Sequence, residues 1–193
     1  MTCFTPGSSW RSVLTNGMLA GLLLLAPFPA FAAETAATPC TPNGANGAIY
    51  FANRVKLSGI DAKVFDVDGV TPLSGDKFLA QLYTASCPDQ KALTAQGKPL
   101  PFRTGAAAGY LSSVTLEASN IGPRKVGFAQ MRSWDAAAAT YEQALAKGLR
   151  TGKSEVVKIM TGGAATPGAV SALPGELAGL KSFSLTANAA GLK

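Results

Sequence analysis

From residue 48 to residue 186, glycine and proline cut the chain into short apolar runs, and this punctuation constrains the fold more than any other feature. Turn signals recur at Asp68-Gly69, Ser74-Gly75, Gly97-Lys98-Pro99, Gly122-Pro123, Gly162-Gly163 and Pro174-Gly175. Glycine reaches positive φ without steric cost and proline fixes φ near about −65°, so each pair is a turn with a mechanism. Apolar runs this short predict an all-β domain rather than a parallel α/β one. Strands are expected over 48–55, 61–66, 77–84, 112–119, 125–134, 154–160 and 180–186, with a further short one near 91–95.

Ser113 to Ala118 alternates most cleanly, with Val114, Leu116 and Ala118 on one face and Ser113, Thr115 and Glu117 on the other. Period two with one polar face describes a half-buried strand. Val157 with Ile159, and Phe183 with Leu185, repeat the alternation and are expected to face the same core. No segment repeats at fixed period, which argues against a solenoid or propeller. The pattern predicts an immunoglobulin-like antiparallel β-sandwich of seven or eight strands over 48–188.

One helix is expected over 136–147, where Tyr141, Leu145 and Leu149 follow an alanine run at helical spacing. Asp135 would cap its start, Gly148 would end it, and Lys147 and Arg150 would suit the negative end of its dipole. Tyr141 and Leu145 would form the packing face, and an irregular alanine-rich loop is the alternative.

The N-terminus reads as a secretory signal peptide over 1–32. Arg11 precedes the apolar run Met18 to Ala26, Pro27 and Pro29 follow, and Ala30-Phe31-Ala32 offers small residues for cleavage before Ala33. The apolar stretch is short for a permanent span, and an uncleaved anchor is the alternative. Cleavage would leave 16 basic and 11 acidic side chains, a net charge of +5. These charges are dispersed, without the concentrated basic stripe of a nucleic-acid binder, and no membrane span is expected after cleavage. Residues 33–47, rich in Ala, Thr, Pro, Asn and Gly, read as a flexible leader and 189–193 as a short tail. Cys40 and Cys87 would survive processing, and an exported chain with two cysteines is expected to pair them. Closing that loop would add about 4 kcal/mol in the chain-entropy model, and two free thiols are the alternative.

The chain contains no histidine, which removes the commonest general base and metal ligand and every Ser-His or Cys-His arrangement. Chemistry then falls to carboxylates. Asp66, Asp68 and Asp76, with Asp61 nearby, could supply hard oxygen ligands to calcium, but Gly69 directly after Asp68 departs from EF-hand spacing, and Asp-Gly is also an ordinary turn pair. Asp61 with Asp76, or Glu117 with Asp135, could serve as the two acids of a glycoside hydrolase, although nothing in the sequence places either pair across a cleft. Phe102 and Tyr110 lie in loop-like surroundings where rings could stack on sugars, whereas Trp134 reads as core. There is no P-loop, CxxC pair or dinucleotide fingerprint, and no cofactor is expected.

Ile49 to Val55, Asp61 to Gly69, Leu73 to Tyr83, Val126 to Asp135 and Leu180 to Leu185 together resemble a group of uncharacterised secreted bacterial proteins, many ending in a PEP-CTERM sorting tail. The resemblance implies export and an association with the envelope or exopolysaccharide, and brings no catalytic residues. The sequence given ends at Ala189-Ala190-Gly191-Leu192-Lys193 without such a tail, so release into the periplasm or medium is the expectation. The expected role is a non-enzymatic structural or adhesive one, with extracellular polysaccharide or envelope proteins as partners and a carbohydrate-binding module as the alternative.

Overall fold

The computed structural model describes residues 40–187, so the expected signal peptide, residues 33–39 of the leader and the terminal tail lie outside the described residues. The fold is mostly β, 41% strand and 10% helical, with one α-helix. In chain order the elements are β1 (Gly47–Phe51), β2 (Arg54–Val55), β3 (Ile60–Asp61), β4 (Val64–Phe65), β5 (Phe78–Ala85), β6 (Thr94–Pro101), β7 (Val114–Ala118), β8 (Val126–Asp135), α1 (Tyr141–Ala146), β9 (Thr151–Lys153), β10 (Val157–Met160), β11 (Gly175–Glu176) and β12 (Phe183–Ser184). They form a three-stranded sheet ordered β11-β1-β7, a five-stranded sheet running β10-β8-β5-β6 with β9 also on β8, and two small pairs, β4 with β12 and β2 with β3. The strands are more numerous and shorter than expected, and β1–β11 and β4–β12 are parallel.

β5 is flanked by ladders on both sides and buried on both faces, which explains its nearly continuous apolar reading. From one face, Phe78, Ala80 and Leu82 join Ala129 and Met131 of β8, Val157 and Ile159 of β10, and Ile49, Phe51 and Ala118 of the other sheet in one aliphatic-rich core. From the opposite face, Tyr83 and Ala85 meet Trp134, Leu93 and the helical residues Tyr141 and Ala144 in a second cluster. The alternation expected for β7 holds: Val114 and Leu116 are half-buried and Ala118 is fully buried, while Thr115 and Glu117 are exposed.

Three segments depart from expectation for physical reasons. β6 is an eight-residue edge strand that runs straight through Gly97-Lys98-Pro99. The triplet forms an irregularity opposite Gln81, where Gly97 takes φ +61° and Gln81 Nε2 donates to its carbonyl at 2.7 Å. An edge strand at a bulge is where both residues are tolerated. The α-helix is shorter than expected because Asp135 is occupied: its Oδ1 accepts from the Ala137 amide and its Oδ2 from Arg150. The cap is instead Thr140, whose hydroxyl accepts from the Gln143 amide, and Gly148 at φ +67° ends the helix as expected. Tyr141 and Ala144 form its packing face and Leu145 is exposed. Finally, residues 40–47 are tied down. The Cys40–Cys87 disulfide is present, and the amides of Asn43, Asn46 and Gly47 donate to carbonyls of Asn120, Ala118 and Ile121.

Candidate functional site

Most of the residues singled out from sequence fall into three clusters, two of them closed, with Asp76 and Glu117 outside all three. In the first, Arg150 lies 4.7 Å over the Phe78 ring and donates to Asp66 at 2.7 Å and Asp135 at 3.0 Å. Partial burial opposes the arginine's charge, but the hydrogen bonds and negative charges of Asp135 and Asp66 outweigh it and hold its pKa above the ordinary value. Asp66 therefore faces a guanidinium instead of a calcium ion. Asp68 is consumed locally, accepting from the amides of Val70 and Thr71 and from the Thr71 hydroxyl, which lower its pKa. Asp76 sits on a separate 3-10 turn, Gly75–Lys77. No group of three or more acidic or cysteine ligands able to hold a metal is assembled among the described residues.

The second cluster covers the outer face of the five-stranded sheet. Arg132 stacks 4.0 Å over Tyr83 and 5.1 Å over Tyr141, and its edge donates to Gln130 at 2.9 Å, Glu142 at 3.2 Å and the Gln90 carbonyl at 3.4 Å. Tyr83 in turn donates to Glu142 at 3.1 Å. Burial, then the neighbouring negative charge of Glu142, pushes the Tyr83 phenol well above its usual range, so it acts as a donor and not as an acid. Trp134 is fully buried here as expected, its indole N–H donating to the Ala138 carbonyl at 2.9 Å.

The third cluster contains Tyr110. Both proposed sugar-stacking residues are buried, Phe102 to 3% and Tyr110 to 6% exposure, so neither presents a ring face to a ligand. Backbone pairing explains this: Phe102 and Leu111 bridge, and the Arg103 amide donates to the Tyr110 carbonyl at 2.8 Å, folding the alanine-rich segment between them back on itself. Asn53, buried beside it, donates to the carbonyls of Ala62 and Gly109 and accepts from the Leu111 amide, fixing the same corner. The Tyr110 hydroxyl donates to Asp61, and that hydrogen bond, with burial, raises its pKa. Arg54 and Lys63 both lie over its ring, at 4.8 and 5.2 Å from the centroid. Nothing in the sequence flagged these two cations, since they are nine residues apart and separated by a tight strand pair.

The carboxylate pairs considered for glycoside hydrolysis are not assembled as acid and base. Asp61 is bound to Tyr110 and Asp135 to Arg150, while Glu117, on the three-stranded sheet, lines an open groove of about 560 Å³ with no second carboxylate among the lining residues. In comparisons with known proteins, no family model, no curated protein and no solved structure matches the chain.

Proposed function

We propose that the chain is an exported, non-catalytic protein of the cell envelope or extracellular matrix, structural or adhesive in role, with its two larger sheets packed as an immunoglobulin-like sandwich. The observation that carries this reading is the commitment of four of the six candidate carboxylates to internal contacts: Asp61 to Tyr110, Asp66 and Asp135 to Arg150, and Asp68 to its own turn. Carboxylates held this way tie loops together and are poorly placed to exchange protons with a substrate. The Cys40–Cys87 bridge suits an oxidising compartment, and a core drawn from both larger sheets suits a sandwich.

The test is fractionation of cells expressing the full chain, followed by N-terminal sequencing, a thiol count on the denatured, unreduced protein and a screen for hydrolysis of polysaccharides. The expected result is export, a new terminus at Ala33, no reactive thiol and no turnover. Retention as an unprocessed cytosolic chain, or hydrolysis abolished by Asp76→Asn or Glu117→Gln, would overturn it.

A further inference from the structure

Among the described residues three arginines stack on aromatic rings, and they differ in what their edges do. Stacking engages only the face of a guanidinium and leaves its in-plane N–H donors free to fork onto a carboxylate or sulfate. At Arg132 those donors are taken by Gln130, Glu142 and Gln90, and at Arg150 by Asp66 and Asp135. At Arg54 the face is used by Tyr110, but the edge has no hydrogen-bond or ion-pair partner among the described residues. The Lys63 ammonium lies over the same ring, so the two cations sit within roughly 10 Å of each other, and it too forms no ion pair among the described residues. Asp61 is the carboxylate nearest at hand, directly across the β2–β3 pair from Arg54, yet its oxygen accepts the Tyr110 hydroxyl instead of pairing with the arginine. The ring thus holds two cations in place while its hydroxyl occupies the local anion.

We propose that Arg54 and Lys63, supported by Tyr110, form a binding site for the anionic groups of an acidic polysaccharide, its carboxylates or sulfate esters. Arg54 and the flanking Lys56 are exposed, and Arg103, also exposed, is joined to Tyr110 through its backbone amide. The apolar content of this corner is too small for insertion into lipid: Leu57 is fully exposed at the hairpin tip, but Val55 is packed against the core. The site deepens the envelope or matrix reading, on which it rests for the source of the polymer.

The full chain, expressed and recovered in its exported form, is run in native gels cast with a polyuronate, with dextran sulfate or with neutral dextran, and is mixed separately with vesicles of anionic phospholipid. Retardation by the acidic gels alone is expected, weakening as salt is raised. Arg54→Gln with Lys63→Gln should weaken it about tenfold, while Lys98→Gln with Lys158→Gln, which removes the same charge from other exposed positions, should change it less than twofold. Tyr110→Phe keeps the ring but frees Asp61 to neutralise Arg54, so it should also weaken retardation. Equal loss in the two double variants, retention in neutral dextran, or binding to vesicles alone would overturn the proposal. The envelope reading is judged separately by fractionation, so a correctly exported protein that ignores both polyanions defeats the site and not that reading.

Discussion

On one face of the five-stranded sheet, Ala80, Leu82, Ala129 and Met131 meet other apolar side chains from across the core. On the other, Tyr83, Gln130, Arg132 and Trp134 meet a helix and a loop through hydrogen bonds and stacked rings. The first face is held by volume, which is non-directional and roughly proportional to buried apolar area. The second is held by direction, because a buried indole and amide and a partly buried guanidinium each require partners at set positions. The first face should therefore tolerate a change of shape at constant apolar volume, whereas on the second the loss of a single polar group leaves its partner unsatisfied.

Substitutions that separate size from direction break this comparison. Truncating either face in full should cost most, about 3–5 kcal/mol for Trp134→Ala and about 2–5 kcal/mol for Leu82→Ala in chemical denaturation. The informative contrast is milder. Leu82→Met should cost less than about 1.5 kcal/mol, whereas Trp134→Phe leaves the buried Ala138 carbonyl without its donor and should cost about 1–3 kcal/mol on that account alone. Equal losses in these two would erase the distinction. Arg132→Met should cost about 1–3 kcal/mol by leaving Gln130 half satisfied, and a double-mutant cycle with Tyr83→Leu should reveal coupling of about 0.5–2 kcal/mol from the stacked pair. Additivity in that cycle would reduce the stack to proximity.

Ser133 offers the converse test, because its hydroxyl lies on the aliphatic face, fully buried and without a hydrogen-bond partner among the described residues. Ser133→Ala should leave stability unchanged or raise it by up to about 1 kcal/mol, since it removes an unsatisfied group and little volume. The smallest effect belongs to a turn outside both faces. The pKa of Asp68 is lowered below 3.8 in the folded protein, so its contribution is present above the unfolded value and lost as pH falls through the folded one. The stability difference between the native chain and Asp68→Asn should therefore close on acidification below pH 3.8, and a difference that persists there would assign it to the side-chain shape.

The class of fold was legible because alternation and turn chemistry act locally: β7, β10, the burial of Trp134 and the pairing of Cys40 with Cys87 all follow from patterns within a few residues or from cysteine count. The misses share one cause. Locally, Gly97 and Gly175 read as turns and Gly152 carries no signal, whereas all three lie within strands where another group comes too close for a side chain, and of the three Gly97 alone takes positive φ, at the irregularity in β6. A Cβ on Gly175 would sit 2.0 Å from the Met160 carbonyl oxygen, and one on Gly152 would sit 2.7 Å from that of Ser184. Close approach depends on distant segments, so no local pattern announces it, and β6, β9 and β11 were lost or shortened accordingly. Phe102 and Tyr110 were misplaced for a related reason: a run of glycine and alanine looked exposed until long-range backbone pairing folded it over them. The cationic corner was illegible because Arg54 and Lys63 acquire meaning only around a ring about fifty residues further on.

The bond between Cys40 and Cys87 also sets the route by which the protein would bear tension. Cys87 lies two residues beyond the end of β5, the strand flanked on both sides in the larger sheet. A pull applied at Cys40 therefore divides at the sulfur bridge, one branch running through residues 41–46 to β1 and the other entering the chain just past β5, which is hydrogen-bonded to a strand on each side. The five-residue pairing of β1 with β7 is then no longer the sole route of load from that end. The bridge thus acts as a mechanical shunt around residues 41–86.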